Sequence, residues 1–270
     1  MTVNNASTGL VLVGLGPGGL GGMTLDAVAA ARNADHRWYE AYTALWPEDD
    51  VVALEQEVGP IQRVMRPDIE EPERLLSLAR TSKVALLVVG DPLQATTHVD
   101  VQLRAADAGV PCSVVHGVSV TGLVTGGAGL SNYRFGRQTT LTYPHGSWIA
   151  TSPLHVVQSN REAGLHTLVL LDLDPTGAGT GNQQPMRPSD ALQSFRLMAQ
   201  KVVEEGEGPS PAELDGWTVV LCSDVGTGDE RYVTTTVAGL EHEAGGRLNC
   251  LLVPAAVDGI EADAIARWRR

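Results

Sequence analysis

The sequence has no cysteine pairs of the kind that bind zinc or form a disulfide framework. Its three cysteines, Cys112, Cys222 and Cys250, are far apart, each in or beside an apolar segment. A structural zinc site would typically require pairs such as C-x-x-C. We therefore predict buried free thiols and no metal site.

Lysine is also scarce, and positive charge is in the minority. Lys83 and Lys201 are the only lysines, and the net charge at pH 7 is −13. Binding to a nucleic-acid backbone depends on clustered lysine and arginine. The composition therefore excludes a typical nucleic-acid groove, and we predict no direct contact with nucleic acid.

Long apolar runs are missing as well. No run approaches the roughly 18 residues of a membrane-spanning helix, and the N-terminal MTVNNASTGL has no basic residue ahead of an apolar stretch. We therefore expect a soluble, cytoplasmic protein with no secretory signal and no membrane partner. With 270 residues, 43% of them hydrophobic, the chain has room for one α/β domain or two of about 120 residues.

The first half of the chain alternates between strand and helix signals, which is typical of βαβ units and predicts a mostly parallel sheet. The predicted strands are Leu10–Val13, His36–Tyr42, Val84–Val89 and Cys112–His116, and the predicted helices are Thr24–Asn33, Glu48–Val58, Glu71–Arg80 and Val99–Ala108.

The second half has several strand signals in succession, which predicts a mixed sheet with antiparallel pairs. The predicted strands are Thr139–Tyr143, Thr167–Asp172, Thr218–Cys222, Tyr232–Val237 and Asn249–Val253, and the predicted helices are Ser119–Gly129, Ser189–Glu205, with a serine cap, and Ile260–Trp268. We place a domain boundary near Gly117, giving domains 1–117 and 118–270. A Gly/Pro-rich loop is predicted over 175–188.

The stretch VLVGLGPGGLGG, residues 11–22, matches G-x-G-x-x-G through Gly14, Gly16 and Gly19. Glu40 lies about where a ribose-binding acid of a dinucleotide site would fall. In such a site, however, the helix opens within the glycine motif and faces the pyrophosphate. Here the first N-cap is Thr24, so the loop is about five residues too long for that geometry. This favours a glycine turn that serves another ligand over an NAD-dependent oxidoreductase.

A second loop follows the strand VALLVV as GDPLQATTH, residues 90–98. We call residues 90–97 the GDP loop. Ligands of open α/β sheets bind at the carboxyl ends of strands, Gly90 permits close backbone approach, and Asp91 supplies a carboxylate. An ordinary Asp-Pro turn would have the same residues, so spacing alone leaves both interpretations open.

Further blocks follow one another along the chain. They are the opening glycine turn and its helix (GLGPGGLGGMTLDAVAAARNAD), the segment Glu40-Ala-Tyr-Thr, GDPLQATTH, Tyr133-Arg-Phe-Gly, the block YPHGSWIATS (143–152) and Gly164-Leu-His-Thr-Leu with Leu171-Asp172. In this order they resemble the diphthine synthase family, within the tetrapyrrole methylase class of S-adenosylmethionine (SAM) methyltransferases. The resemblance covers roughly residues 10–260.

The resemblance implies two α/β domains with SAM in the cleft between them, in a homodimer. It implies methylation of the amino group of a modified histidine on translation elongation factor 2, a step of diphthamide synthesis, with S-adenosyl-L-homocysteine as the other product. The SAM-contacting residues carried over by position are Pro17, Asp91, Gln94, Ser119, Val120, Leu171, Cys222 and Asp258. Three of these depart from the family pattern: Pro17 replaces the usual Leu, Gln94 a common Val and Asp258 a usual His.

Methyl transfer to an amine is an in-line displacement that needs a neutral acceptor, so a proton acceptor is of interest. His98 and Tyr143 are candidates for this catalytic role, and both are equally compatible with a structural one. His116 and His166 lie in apolar contexts and are predicted to be hydrogen-bonded core histidines. Two alternatives remain: a tetrapyrrole methyltransferase of the same fold, and a non-catalytic SAM-binding regulator.

Overall fold

The structure, a computed structural model, describes residues 7–146, 148–181 and 183–269. The chain divides into two compact units, Met1–Val120 with Ala178–Gln183, and Thr121–Gly177 with Gln184–Arg270. Each unit contains one five-stranded sheet. The predicted α/β class is confirmed, whereas the domain boundary near Gly117 stays a prediction.

The first unit has a wholly parallel sheet in the strand order β3-β2-β4-β1-β5. The parallel sheet predicted from the alternating signals is therefore confirmed. Its elements are β1 (Gly9–Gly14), α1 (Leu25–Arg32), β2 (His36–Glu40), α2 (Glu48–Val58), β3 (Gln62–Val64), α3 (Arg66–Glu70), α4 (Glu73–Ala79), β4 (Lys83–Val88), α5 (His98–Asp107) and β5 (Cys112–Val115).

Apolar side chains cover both faces of this sheet. Leu10 and Leu12 of β1 pack with residues of α3, α4 and α5, and the alternate residues Val11 and Val13 pack with α1 and α2. Successive side chains of a strand point to opposite faces. A strand buried on both faces therefore appears as the continuous apolar run found in the sequence.

Two helix starts in this unit follow local sequence rules. Thr24 caps α1 as predicted, since its hydroxyl accepts a hydrogen bond from Ala27 N at 3.0 Å. The helix predicted over Glu71–Arg80 is confirmed as α4, whereas the short helix α3 that precedes it was not predicted. Proline has no backbone N–H to donate within a helix, and Pro72 accordingly lies at the N-cap of α4.

The second unit has a mixed sheet in the order β6-β7-β10-β8-β9, in which only β6 and β7 are parallel. The predicted mixed sheet is confirmed. Its elements are α6 (Val120–Ala128), β6 (Thr139–Leu141), α7 (Ser152–Glu162), β7 (Thr167–Leu171), α8 (Pro188–Glu204), α9 (Pro211–Asp215), β8 (Thr218–Ser223), β9 (Arg231–Thr236), β10 (Asn249–Val253) and α10 (Gly259–Ala266).

The longest helix of the described chain, α8, buries Phe195, Met198 and Val202 in the core of this unit. The serine cap predicted for it is wrong. Its N-cap is Arg187, and Pro188 takes the first helical position, where a missing amide costs nothing because it has no intrahelical partner. Within the described ranges, every helix falls short of the length and apolarity that crossing a bilayer requires.

Candidate functional site

The first unit brings the carboxyl ends of its five strands to one edge of its sheet. The strands follow the order β3-β2-β4-β1-β5, and each adjacent pair runs parallel. The connections after β1 and β4 leave in opposite directions, toward β2 and toward β5. Such a switch in direction is where ligands bind in open α/β sheets.

Four glycines pack against one another at this edge, and we call Gly14, Gly16, Gly90 and Gly117 the glycine junction. Gly16 and Gly90 exchange two backbone hydrogen bonds of 3.0 Å each. A Cβ atom on Gly117 would lie 2.2 Å from Gly90 O, and one on Gly14 would lie 2.4 Å from Gly117 N. The close backbone contact therefore requires glycine at both positions.

The glycine loop after β1 is closed by side chains of α2 and of the segment before it. Leu20 N donates to the Asp50 carboxylate at 3.0 Å, and Trp46 Nε1 donates to Gly16 O at 2.9 Å. A carboxylate of the protein itself thus binds an amide of the glycine-rich loop. An anionic pyrophosphate at this amide would be repelled by Asp50, which agrees with the turn preferred from the sequence over a dinucleotide loop.

Asp91 is buried, with 7% of its surface exposed, and its carboxylate joins two of the loops. One oxygen accepts from Leu93 N at 2.9 Å, and the other from Gly117 N at 3.2 Å. His116 Nδ1 lies 2.8 Å from the second oxygen, and its side chain is 69% exposed. The prediction that His116 is a core histidine is wrong, because β5 ends at Val115 and the ring lies at the edge of the sheet.

The other site residues predicted in this unit lie on the loops that follow β1, β4 and β5. Pro17 is half-buried directly after Gly16, and Gln94 is exposed within the GDP loop. Ser119 and Val120 are half-buried, after β5 and at the start of α6. The strand order therefore brings the segments that carry Pro17, Asp91 and Gln94 to the same edge. Contact of any of these side chains with a cofactor stays a prediction.

His98 is fully buried at the start of α5 and faces two polar groups. Its Nδ1 lies 3.1 Å from Pro92 O, and its Nε2 lies 3.6 Å from Oε2 of Glu40, whose carboxylate is also fully buried. Glu40 in turn accepts hydrogen bonds from the amide and the hydroxyl of Thr43, each 2.8 Å long. These contacts hold Glu40 inside the unit. The catalytic role considered for His98 stays a prediction.

Tyr143 lies in the second unit, where its hydroxyl donates to Gln184 O at 3.0 Å and lies 3.4 Å from Asp190 Oδ2. Burial and the charge of Asp190 raise the pKa of Tyr143 to about 12. The phenol is therefore protonated at neutral pH and serves as a hydrogen-bond donor in its ground state. Its catalytic role stays a prediction.

The second-unit residues predicted to contact SAM fall at two ends of the sheet. The strand register pairs Leu170 with Cys250 and Cys250 with Cys222, so Leu171 and Cys222 lie near one edge. Burial is the largest cause that raises the pKa of the Cys222 thiol. Asp258 is exposed at the N-cap of α10, beyond the opposite end of β10.

His166 is a buried, hydrogen-bonded histidine, as predicted. Its Nε2 lies 3.2 Å from Glu261, and its Nδ1 accepts from Ala255 N at 3.1 Å.

Sequence reasoning missed three groups of the first unit: Asp50, the Gly117 amide and the pairing of Glu40 with His98. The rule that ligands bind at strand ends also applies to β5 and would have singled out His116 and Gly117. No local signal marks Asp50, since an acid in the first turn of α2 is explained by the helix dipole alone.

The comparison with protein families defines the class: the chain belongs to the tetrapyrrole (corrin/porphyrin) methylases, whose family model matches residues 9–241. Within this class, its relatives include diphthine synthases. It is 33% identical over 259 residues to the diphthine synthase of Methanosphaerula palustris, covering 94% of this chain and 96% of the relative.

Further comparisons agree over nearly the whole chain. The diphthine synthase of Methanothermobacter thermautotrophicus is 32% identical over 257 residues, covering 94% of this chain and 93% of the relative. A crystal structure of diphthine synthase superposes with a TM-score of 0.82 at 28% identity, covering 96% of this chain and 95% of that structure. The resemblance drawn from the sequence is therefore confirmed.

Proposed function

We propose that this protein is a SAM-dependent methyltransferase that methylates the amino group of the modified histidine on translation elongation factor 2, giving diphthine. The support is similarity to diphthine synthases that extends over more than nine tenths of both chains. A tetrapyrrole substrate carries several carboxylates and would favour clustered basic side chains. The side chains described above at the carboxyl edge of the first sheet include the carboxylates of Glu40, Asp50 and Asp91, and Arg66, which follows β3 at this edge, packs over the Tyr42 ring.

The observation that carries the cofactor assignment is the presence of two carboxylates at this edge: Asp50 binds an amide of the glycine loop, and Asp91 binds the Gly117 amide of the glycine junction. SAM carries a positive sulfonium and no phosphate, so it is compatible with the Asp91 and Asp50 carboxylates in a way that a pyrophosphate is not. A Cβ atom on Gly90 would meet no other atom within 4 Å, so there is space beside the junction. The residues present therefore fit this cofactor.

The residues proposed to hold SAM in the first unit are Pro17, Asp91, Gln94, Ser119 and Val120. Leu171, Cys222 and Asp258 of the second unit are proposed on the resemblance alone. The homodimer, the cytoplasmic location and elongation factor 2 as protein partner are proposed on the same basis.

When bound, SAM supplies a methyl group already activated by the positive charge on sulfur. The chain then has two tasks, to orient the acceptor amine and to keep it neutral. Orientation in a well-aligned pair of reactants accounts for up to about 7–11 kcal/mol of barrier lowering. An apolar surrounding disfavours the protonated amine. Tyr143 is proposed to contact the acceptor amine through its oxygen, which can accept a hydrogen bond while the hydroxyl donates to Gln184 O.

The direct test is a methylation assay on the protein substrate. The purified protein is mixed with methyl-labelled SAM and with elongation factor 2 carrying the unmethylated diphthamide precursor. We expect label on the modified histidine and none on a matched factor with that histidine replaced. Calorimetric SAM binding without label would contradict the protein substrate and direct the assay to tetrapyrroles. Absence of SAM binding would contradict the cofactor.

Asp91 is the first residue to change. Asp91→Asn removes the charge and keeps an acceptor for one of the two amides, Leu93 N or Gly117 N, so it should disturb the fold less than Asp91→Ala. We expect SAM to bind about tenfold more weakly, the loss of roughly 1.4 kcal/mol. Asp91→Ala should weaken SAM as well and also destabilise the unit by about 1–3 kcal/mol, because buried amides lose their partner.

Calorimetry with SAM, together with thermal unfolding of both variants, separates the two effects. NADH and NADPH serve as controls and are expected to show no saturable binding. Unchanged SAM affinity in both variants would remove the GDP loop from the site.

A further inference from the structure

Two fully buried polar residues of the first unit, Glu40 and His98, belong to the segments that identify the family, Glu40-Ala-Tyr-Thr and GDPLQATTH. Glu40 ends β2 and His98 begins α5. Their neighbouring strands, β2 and β4, are paired in the sheet. The two side chains therefore connect two strand ends at the edge of the sheet that carries the glycine junction.

The hydrogen bond to Pro92 determines which nitrogen of His98 carries a proton. Pro92 O can only accept, so the 3.1 Å contact requires Nδ1 to be the donor. The same carbonyl accepts from the Thr96 hydroxyl at 2.7 Å. The GDP loop is thus held at Pro92 by two donors, one of which is the buried imidazole.

The other nitrogen of His98 faces Glu40. Nε2 has no hydrogen-bond partner among the residues that the structure describes, and lies 3.6 Å from Glu40 Oε2. Both Glu40 oxygens are already bound by Thr43. The Glu40 carboxylate therefore lies beside Nε2, on the side of the ring away from Nδ1 and Pro92 O.

The loop held in this way is strained. Ala95 has φ of 55°, one of two non-glycine residues with positive φ in the described chain. Such a conformation persists only where neighbouring contacts impose it. The contacts flank it: Leu93 N and Gln94 N bond to Asp91 on one side, and Thr96 and His98 bond Pro92 O on the other.

We propose that Glu40 and His98 are positioning residues that hold the strained GDP loop, and with it Asp91 and Gln94, in the geometry that binds the cofactor. His98 acts through the Pro92 carbonyl, and Glu40 acts by orienting the His98 ring. Because both side chains are fully buried, this proposal gives His98 an action through Pro92 O in place of the catalytic role considered from the sequence. This inference rests on the proposed function, because it assigns the loop to SAM.

The test separates the two nitrogens of His98. In His98→Asn the amide group reaches the position of Nδ1 and keeps a donor for Pro92 O. In His98→Gln it reaches the position of Nε2 and loses that donor. We expect the SAM dissociation constant to stay within about threefold of the original for His98→Asn and to rise about tenfold for His98→Gln, the effect of one buried hydrogen bond. Glu40→Gln should weaken SAM about threefold. His36→Gln, a surface histidine in the same unit, is the control.

Thermal unfolding is measured on the same samples. Both His98 variants disturb the same buried pair, so a role in stability alone predicts SAM affinities that follow the melting temperatures. That result, or equal affinities for His98→Asn and His98→Gln, would overturn the positioning role. Failure of the unsubstituted protein to bind SAM would instead overturn the proposed cofactor and this inference with it.

A measurement on the unsubstituted protein tests the hydrogen bond between His98 and Pro92 even if a variant does not fold. In nitrogen-15 histidine-labelled protein we expect a slowly exchanging proton on Nδ1 of His98, because the group is buried and bonded to Pro92. A ring with no proton on Nδ1 would rule out the hydrogen bond to Pro92 O and would overturn the positioning role of His98.

Discussion

At the residue scale, His166 shows how burial makes one side chain sensitive to pH. Its Nδ1 accepts the Ala255 amide and its Nε2 faces Glu261, which also binds the Ser131 amide at 2.8 Å. Burial is the largest cause that lowers the pKa of His166 below its ordinary 6.5. A second proton, on Nδ1, would remove the acceptor of the Ala255 amide.

We predict that acid destabilises the second unit through this residue. The unfolded histidine takes up its proton near pH 6.5, whereas the folded one does so only at lower pH. The stability it contributes is therefore present above pH 6.5 and lost as the pH falls, by at most about 1.4 kcal/mol per pH unit for one proton.

The measurement is the urea midpoint between pH 7.5 and 5.5, which stays above the range where Glu261 titrates. His166→Asn keeps an acceptor for Ala255 and should show a smaller loss over this interval. His36→Asn, at an exposed position, is the control and should leave the loss unchanged. Equal losses in the original protein and in His166→Asn would refute the assignment.

Other single residues show how far local signals reach. The Thr24 cap and the burial of His166 were predictable, since a cap acts within one helix turn and the apolar context of His166 is visible in the sequence. The exposure of His116 was not predictable from local signals, because β5 ends one residue earlier than the apolar run suggests. Asp50 was not, because its partner Leu20 is thirty positions away.

At the scale of elements, the glycine junction joins the ends of β1, β4 and β5. Gly117→Ala would place its Cβ atom 2.2 Å from Gly90 O, and a backbone oxygen cannot move aside as a flexible side chain can. We predict destabilisation of about 1–3 kcal/mol, as for overpacking elsewhere, together with weakened SAM binding.

Chemical unfolding and calorimetry measure the two effects. The matched control is Gly122→Ala in α6, where the added Cβ atom meets no other atom within 4 Å. Because alanine favours a helix interior, that variant should gain up to about 1 kcal/mol. Gly117→Ala with unchanged stability and SAM affinity would mean that the junction tolerates wider separation than its contacts suggest.

Most elements were predictable from their own residues. The elements that were missed lack a sequence pattern that marks a strand or a helix. The sequence runs that form β1, β4 and β10 are apolar because these strands are buried on one face or on both faces. β3 has three residues, two of them exposed, so no run marks it. α7 begins with Ser152 and Pro153 after a segment without helical periodicity, and sequence patterns did not identify it.

At the scale of the whole molecule, charge is the dominant sequence property. The chain has 32 acidic and 19 basic residues. Several arginines pair locally, as in the exposed pairs of Arg32 with Glu57 and Arg104 with Asp100. Exposed pairs of this kind contribute little stability. The remaining negative charge repels itself in the compact state.

We therefore predict that salt stabilises the protein. Raising NaCl from about 0.05 to 0.5 M shortens the screening length severalfold and should raise the melting temperature by about 2–4 °C, equivalent to roughly 1 kcal/mol. Scanning calorimetry in NaCl and in tetramethylammonium chloride should give similar rises, since screening does not depend on the identity of the cation. A melting temperature that stays constant or falls would show that local ion pairs outweigh the net repulsion.

The sequence by itself determined the alternation of strands and helices, the parallel and the mixed sheet, and the segments that resemble diphthine synthases. These follow from apolar periodicity, caps and turns, which act over a few neighbouring residues. Only the tertiary structure decided that Glu40 faces His98, that Asp91 receives the Gly117 amide, and that Asp50 closes the glycine loop. Each of these pairs joins residues far apart in sequence, and the order β3-β2-β4-β1-β5, fixed by packing both faces of the first sheet, brings their strand ends together.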